Sequence, residues 1–172
     1  MITPTLEDRR PQPYVGIRTE ATLQQLPEVV PELLYETEIW LDEQGVELSG
    51  VPFIRYHVID MQALLDIEVG CTVDRFLRSD ARVSVGIIPA GRYATLVYRD
   101  VVNGIDGNRT LIEWAEKMGL VWDAWDTELG QAFRSRLEFF LDGPDDSPDP
   151  AKWRTQVAIR LADERPETLS IL

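Results

Sequence analysis

The feature that most limits how this chain can fold is an order of sequence patterns that occurs twice. In the first copy, the β-branched and aromatic stretch 14–19 is followed by a helical pattern over about residues 23–44, which Gly45 ends. Two strand patterns, 52–60 and 65–73, complete this copy. Internal repetition of this kind constrains the architecture more strongly than any single element does.

The second copy has the same kinds of element in the same order. Its patterns are an opening strand over 83–88, a turn over 89–91, a strand over 93–98, a helix over about 108–118 that ends at Gly119, and strands over 133–142 and 153–162. The segment 143–150 is rich in proline and aspartate, which indicates a loop. Two copies of one βαββ unit are therefore predicted.

These patterns predict an α+β fold of duplicated βαββ units related by a pseudo-twofold axis. Its antiparallel sheet carries helices on one face and a central ligand cleft. A chain of 172 residues fits one domain. We expect this domain over 13–162, with repeat one at about 13–73 and repeat two at about 83–162. Residues 1–12 and 163–172 are predicted to be tails.

Composition and residue counts exclude several function classes. The net charge of −13, from 30 acidic and 17 basic residues, disfavours binding to a polyanion such as nucleic acid. One cysteine cannot form an intrachain disulfide or a thiolate zinc site, and no phosphate-binding glycine loop is present. We therefore expect no metal and no cofactor. The N-terminus lacks a signal-peptide pattern, so a cytoplasmic location and no membrane partner are expected.

Alternation of side chains along the predicted strands places several polar and aromatic residues on one face. Aligning the two copies by Asp60 and Asp142 puts Tyr56 opposite Glu138. If the helices cover the apolar face, the uncovered face is lined by Tyr56, Glu68, Glu138, Phe140 and Gln156. We expect the pseudo-twofold axis to bring these groups together, with one acid from each half, Glu68 and Glu138, in the cleft.

Glu138 is the most informative single position. It lies between Leu137 and Phe139 in an otherwise apolar strand, so its carboxylate must be paired, solvated by a cleft or protonated. The alternative is an exposed strand glutamate that pairs with Arg136 or Arg154.

Aromatic residues near this acid favour a cationic ligand. A carboxylate among aromatic faces attracts an organic cation through Coulomb and cation–π interactions. Trp122 and Trp125 lie in the predicted loop 120–130, where they can form a pocket rim or lid, or else cap the edge of the core. His57 is expected on the opposite, covered face as a hydrogen-bonded core residue, and Cys71 is expected to be buried and inert.

At several motifs the chain resembles the GyrI-like, or effector-binding, family, as a stand-alone member. The resemblance covers most of residues 13–162 and is most specific at Pro89-Ala90-Gly91-Arg92-Tyr93 with Tyr98, at 137–144, which is similar to the family's Glu-x-Tyr-x-x-Asp-Pro, and at 154–157. The stretch 66–70 matches a further family phrase.

The resemblance implies a duplicated fold with a central cleft and an acid at Glu138 that contacts cationic, planar ligands. Phe140 stands where the family has tyrosine, and Gln156 stands where it has glutamate. Without that second acid, no preference for doubly charged ligands is implied. The family's regulators have a helix-turn-helix domain before this one. Only residues 1–12 precede the domain here, so we expect no direct DNA binding.

The leading hypothesis is a binding protein of the multidrug type for hydrophobic, aromatic or cationic small molecules. The expected ligand-binding residues are Glu138, Tyr56, Glu68, Tyr98, Trp122, Trp125, Phe140 and Gln156. Relatives within the family suggest two alternatives. One is a cofactor-independent hydrolase of strained, cyclopropanoid electrophiles, in which Glu138 is the general base and Tyr98 or Tyr56 donates a hydrogen bond. The other is a protein partner that modulates DNA gyrase through the acidic surface.

Overall fold

A computed structural model describes residues 3–60 and 62–164 of the chain. Within these residues, ten β-strands and two α-helices form the domain. In chain order they are β1 (Thr5–Arg9), β2 (Gln12–Ala21), α1 (Leu26–Glu43), β3 (Pro52–Ile59), β4 (Leu65–Thr72), β5 (Ser84–Ile88), β6 (Gly91–Arg99), α2 (Gly104–Lys117), β7 (Ala124–Thr127), β8 (Gly130–Phe133), β9 (Arg136–Phe140) and β10 (Arg154–Arg160).

The strand order confirms the duplicated α+β fold. The sheet runs β1-β6-β10-β9-β3-β4-β2-β5, with antiparallel pairs throughout, and the β7–β8 hairpin joins it through β8 and β3. The order is symmetric about the β9–β3 pair, because β9, β10 and β6 of the second copy mirror β3, β4 and β2 of the first. A pseudo-twofold axis therefore passes between the two central strands.

The outermost strands are exchanged between the two copies. Strand β1 pairs with β6 of the second copy, and β5 pairs with β2 of the first copy. The expectation of a tail over 1–12 was therefore wrong for Thr5–Arg9, which forms a strand. Its sequence is mostly polar, and the strand is held by backbone pairing with β6. In the expected C-terminal tail, Asp163 and Glu164 are exposed, and residues 165–172 lie outside the described residues.

Both helices lie on the same face of the sheet, as predicted. Helix α1 packs on β2 and β4, and α2 packs on β6. Each helix is followed by a glycine with positive φ, Gly45 at 70° and Gly119 at 69°, a conformation that glycine adopts without steric cost. Among the described residues, neither helix is long and apolar enough to cross a membrane.

The face without helices is filled by a core of its own. Tyr14, Phe53, Tyr93 and Phe139 pack there, and Tyr93 and Phe53 are fully buried. Ile88 on β5 joins this cluster, although β5 and β6 are far apart in the strand order. The sheet therefore curls toward this face into a half-barrel whose interior is packed with side chains.

On the helix face, the core is divided into two parts. One part lies under α1 and includes Ile54 and Val69, and the other lies under α2 and includes Leu111 and Val157. Because each helix covers its own copy, the central strands β3 and β9 lie between the parts of the sheet that α1 and α2 cover, and we call this region of the helix face the groove.

Candidate functional site

The register of the central strands places Glu138 in the groove between the helices. Glu138 pairs with Ile54 on β3 and with Val157 on β10. Directly paired residues of antiparallel strands point to the same face. Since Ile54 belongs to the core under α1 and Val157 to the core under α2, Glu138 lies on the helix-covered face.

The expectation that all five strand residues share the uncovered face was wrong. Tyr56 and Phe140 lie on the helix face with Glu138, but Glu68 pairs with Arg55 and Gln156 pairs with Phe139 on the opposite face. Alternation orders the residues within one strand, whereas the register between strands decides which sets share a face. Tyr56 is directly opposite Ile67 rather than Glu68, and this separates the two expected acids.

The Glu138 carboxylate is half-buried and held by neutral donors. Its Oε1 accepts a hydrogen bond of 2.9 Å from Asn108 Nδ2, and its Oε2 lies 3.5 Å from the Tyr56 hydroxyl, a long contact. The Tyr98 hydroxyl is also close to the carboxylate. Burial raises the pKa of Glu138, although the donors and the nearby Arg136 charge partly oppose this shift.

Arg136 lies on the same face of β9 but does not pair with Glu138 directly. Its Nη2 donates to Asn108 Oδ1 at 2.9 Å, and its guanidinium lies 4.8 Å from the centre of the Phe133 ring. The Asn108 amide therefore stands between the two charges. Among the described residues, no salt bridge reaches Glu138.

The alternative of an exposed glutamate paired with Arg154 is excluded in this structure. Arg154 instead holds Asp142 through two hydrogen bonds of 2.8 and 3.0 Å. Donation from Arg154 lowers the pKa of Asp142 to about 2.

Close approach of α2 to the sheet positions Tyr98. A Cβ atom at Gly107 would lie 2.9 Å from Tyr98 Cδ1, so only a glycine lets the helix lie against this ring. Burial, together with the Glu138 charge, raises the pKa values of Tyr56 and Tyr98. Both hydroxyls therefore remain protonated donors at neutral pH.

One residue of α2 that contacts Glu138 was missed by the sequence-based prediction, namely Asn108. Its amide reaches Glu138 from α2, so Asn108 belongs to the groove. The sequence did contain a sign of this contact. Asn108 lies three positions before the buried Leu111, so it is a polar residue next to the buried side of the helix.

Trp122 and Trp125 do not form a lid over Glu138. Trp122 packs against the core under α2 and bridges to Leu161, in agreement with the alternative that it caps the core edge. Trp125 is 51% exposed on β7, where it pairs with Ala132. No contact of either residue with Glu138 is seen in the described part of the chain.

Glu68 and Gln156 belong to polar networks on the opposite face. Glu68 is buried and accepts hydrogen bonds from the Tyr14 hydroxyl at 2.8 Å and from His57 Nε2 at 2.9 Å. Burial raises the pKa of Glu68, but these donors outweigh it and the net pKa is lowered. Gln156 accepts from Arg9 at 2.6 Å. His57 is hydrogen-bonded as expected, but it lies on the face without helices.

Metal ligands do not come together in the described residues, where no three His, Cys, Asp or Glu side chains could hold an ion. The groove is instead a carboxylate site with aromatic and amide neighbours. Such a site can attract a cation or accept a proton.

Comparison with known proteins finds the fold only among solved structures. No family model matches the chain, and no curated protein matches it. The C-terminal domain of EcmrR matches with a TM-score of 0.71 and 17% identity over 94% of this chain and 98% of that one. In an EcmrR–DNA complex the TM-score is 0.73 at 17% identity over 94% of this chain, which spans 58% of that longer chain.

Two further structures share the fold at lower similarity. A hydrolase from Listeria innocua has a TM-score of 0.60 and 13% identity over 92% of this chain and 91% of its own. SAV2435, bound to tetraphenylphosphonium, has a TM-score of 0.58 and 13% identity over 94% of both chains. The shared fold is consistent with the GyrI-like resemblance. The expectations about DNA, gyrase and cellular location stay predictions.

Proposed function

We propose that this chain binds lipophilic organic cations in the groove between α1 and α2. Glu138 is the charge partner, and Tyr56, Tyr98 and Phe140 supply aromatic walls. The proposal depends mainly on one observation, which is that the half-buried carboxylate receives its hydrogen bonds from neutral groups and has no direct cationic partner among the described residues.

The electrostatics of the groove suit a cation that cannot itself donate hydrogen bonds. A carboxylate removed from water loses hydration, and a cation placed beside it restores favourable electrostatics. The Asn108 amide keeps the carboxylate oriented before any ligand arrives. A quaternary ammonium or phosphonium group then needs only charge attraction and contact with aromatic faces.

The fold comparison supports this proposal indirectly. SAV2435 has the same fold and was solved with tetraphenylphosphonium bound. At 13% identity this likeness carries the fold alone, so the assignment of a ligand class to this chain depends on Glu138 and its neighbours.

Titration with tetraphenylphosphonium tests the proposal. Wild type, Glu138→Gln and the matched control Glu68→Gln should be compared by calorimetry at pH 7.5. We expect Glu138→Gln to weaken binding about tenfold or more, which is a loss of ~1.4 kcal/mol or more. Glu68→Gln should bind like wild type, because Glu68 lies on the opposite face. Equal affinities for wild type and Glu138→Gln would remove the charge role.

A second candidate function is favoured by the raised pKa of Glu138 beside two tyrosine hydroxyls. In a hydrolase, the Glu138 carboxylate would take a proton from water as the hydroxide adds to the strained carbon. In the same step the ring C–C bond to that carbon would break, its electron pair would move through the conjugated system to the carbonyl oxygen, and a tyrosine would protonate that oxygen and regain its proton from Glu138. Incubation with a cyclopropane-bearing alkylator and mass analysis of the product would test this, and turnover no faster than the protein-free background would rule it out.

A further inference from the structure

A cavity opens beside α1, on the same face of the sheet as Glu138. Its volume is about 220 Å³, and it is lined by Leu34, Thr37, Glu38, Leu48, Gly50, Pro52, Cys71 and Asp145. Pro52 pairs with Cys71, which belongs to the core under α1. Pro52 also lies two residues along β3 from Ile54, the partner of Glu138. This spacing along β3 is about 7 Å, so the cavity and Glu138 lie near each other on the helix face of the sheet.

The charges that line this cavity are all negative. Glu38 and Asp145 are exposed carboxylates that approach it from α1 and from the loop after β9. Within the described ranges, neither takes part in a salt bridge or a side-chain hydrogen bond. Their charge is therefore free to attract a ligand.

The remaining polar groups of the cavity are already satisfied by backbone. The Thr37 hydroxyl donates to Leu33 O at 2.8 Å, and the Cys71 thiol donates to Thr72 O at 3.4 Å. Leu34, Leu48 and Pro52 supply apolar surface. Apolar walls with two carboxylates and no free donors match an alkylated ammonium group, which carries charge but offers no N–H.

We propose that this cavity is a second subsite for organic cations, so that the groove accepts an elongated ligand with one cationic group at Glu138 and another between Glu38 and Asp145. This inference rests on the proposed function for its first cationic site. A preference for doubly charged ligands would then come from Glu138, Glu38 and Asp145. Glu68 and Gln156 lie on the opposite face of the sheet and take no part in it.

Cys71 provides an independent reporter inside the cavity. It is the single cysteine of the chain, and burial together with the Glu38 charge raises its thiol pKa to about 11. The Glu38 carboxylate is thus close enough for its charge to act on the thiol.

The first experiment measures how fast charged reagents modify Cys71. Methanethiosulfonates with a trimethylammonium, a neutral methyl or a sulfonate group each form a mixed disulfide and release methanesulfinate. Rates are followed by intact mass and divided by each reagent's rate with free cysteine. We expect the cationic reagent to react about tenfold faster than the anionic one, equivalent to ~1.4 kcal/mol. In a Glu38→Gln/Asp145→Asn variant this ratio should fall close to one.

The controls separate the cavity from general surface charge. A Glu32→Gln/Asp126→Asn variant removes the same charge from exposed positions outside the cavity and should keep the wild-type ratio. A ratio near one in wild type, or one that Glu38→Gln/Asp145→Asn leaves unchanged, overturns the subsite. Modification by the neutral reagent that is no faster than global unfolding also overturns it, because the cavity would then be closed.

The second experiment distinguishes failure of this subsite from failure of the proposed function. Decane-1,10-bis(trimethylammonium) is compared with decyltrimethylammonium by calorimetry. We expect the bis-cation to bind wild type about tenfold more tightly, an advantage that Glu38→Gln/Asp145→Asn abolishes without weakening the monocation. If both ligands bind equally, the subsite is wrong and the Glu138 site stands. If Glu138→Gln affects neither ligand, the proposed function fails.

Discussion

Asn108 donates to Glu138 Oε1 over 2.9 Å while its own Oδ1 accepts from Arg136 Nη2, also at 2.9 Å. The amide thus orients the carboxylate and keeps it apart from the nearest cation on β9. Arg136 can then stabilise the orientation of the amide without occupying the place of a cationic ligand.

Removal of this amide should raise the pH needed for cation binding. In Asn108→Leu, which is similar in size, Glu138 loses the hydrogen bond that lowers its pKa most, so the carboxyl protonates at higher pH. The pH midpoint of tetraphenylphosphonium affinity should move upward, while affinity at high pH falls less than threefold. Asn103→Ala, which removes an exposed amide bonded to Arg99 O, is the control. An unchanged midpoint in Asn108→Leu would contradict this role.

Cation affinity of the wild-type chain should depend on pH through Glu138. The pKa of Glu138 is raised by burial, so its carboxyl becomes neutral at a higher pH than an ordinary glutamate does. As the pH falls through this pKa, affinity should decrease by up to about tenfold per pH unit. Calorimetry between pH 5 and 8 measures this slope. The affinity of the Glu138→Gln variant should not change with pH. If the affinities of both proteins changed with pH in the same way, the pH dependence would come from groups other than Glu138.

Glu138→Gln should stabilise the fold at neutral pH. A carboxyl whose pKa is raised in the folded state binds protons more tightly than in the unfolded chain. The contribution of Glu138 to the free energy of unfolding is therefore fully present at low pH, and it is lost as the pH rises from about 4.3 through the folded pKa. Each unit of the raised pKa costs ~1.4 kcal/mol above this window. Chemical denaturation should show that Glu138→Gln has a higher free energy of unfolding than wild type at pH 8. This difference should be smaller at pH 4.

Glu68→Gln should have the opposite profile. Glu68 has a lowered net pKa because His57 and Tyr14 donate to it, so its stabilisation is present above about pH 4.3 and is lost as the pH falls through the lower folded pKa. We expect a loss of ~1–3 kcal/mol at pH 7, measured by urea denaturation, with cation affinity within about twofold of wild type. A strong loss of cation affinity with intact stability would return Glu68 to the binding site.

Gly107→Ala should disturb the tyrosine wall. The added methyl group would lie 2.9 Å from Tyr98 Cδ1, so the ring or the helix must shift. We expect a loss of ~1–3 kcal/mol in unfolding free energy and weaker tetraphenylphosphonium binding. Gly143→Ala adds the same methyl group where nothing lies within 4 Å, and should change stability by less than about 0.5 kcal/mol. Equal stability of the two variants would show that α2 does not press on Tyr98.

Most of the fold could be predicted from local patterns. The two helices, their glycine ends and the strands β3, β4, β6 and β10 follow from hydrophobic periodicity and turn residues, which act over a few positions. Strand β1 was missed because Thr5–Arg9 has no apolar alternation and is held by pairing with β6. Strand β7 was predicted as part of the loop 120–130, because its short sequence shows no alternation and it is held by pairing with β8.

The candidate site was predicted only in part. Glu138, Tyr56, Tyr98 and Phe140 lie on the helix face, and the isolated acid in an apolar strand was a sufficient signal for the first of these. Asn108 was missed because it comes from a different element, and Glu68 was included because its own strand alternates in the same way. Both errors concern contacts between elements that are distant in the chain, and the local sequence of one element does not report such contacts.

By itself, the sequence determined the duplicated units, their helices, and the presence of a carboxylate that an apolar strand must accommodate. Only the tertiary structure decided which face that carboxylate occupies. Side-chain alternation has a period of two, so one step of register reverses the face of a whole strand. The pairings of Ile54 with Glu138 and of Arg55 with Glu68 therefore place one acid in the groove and the other in the packed interior.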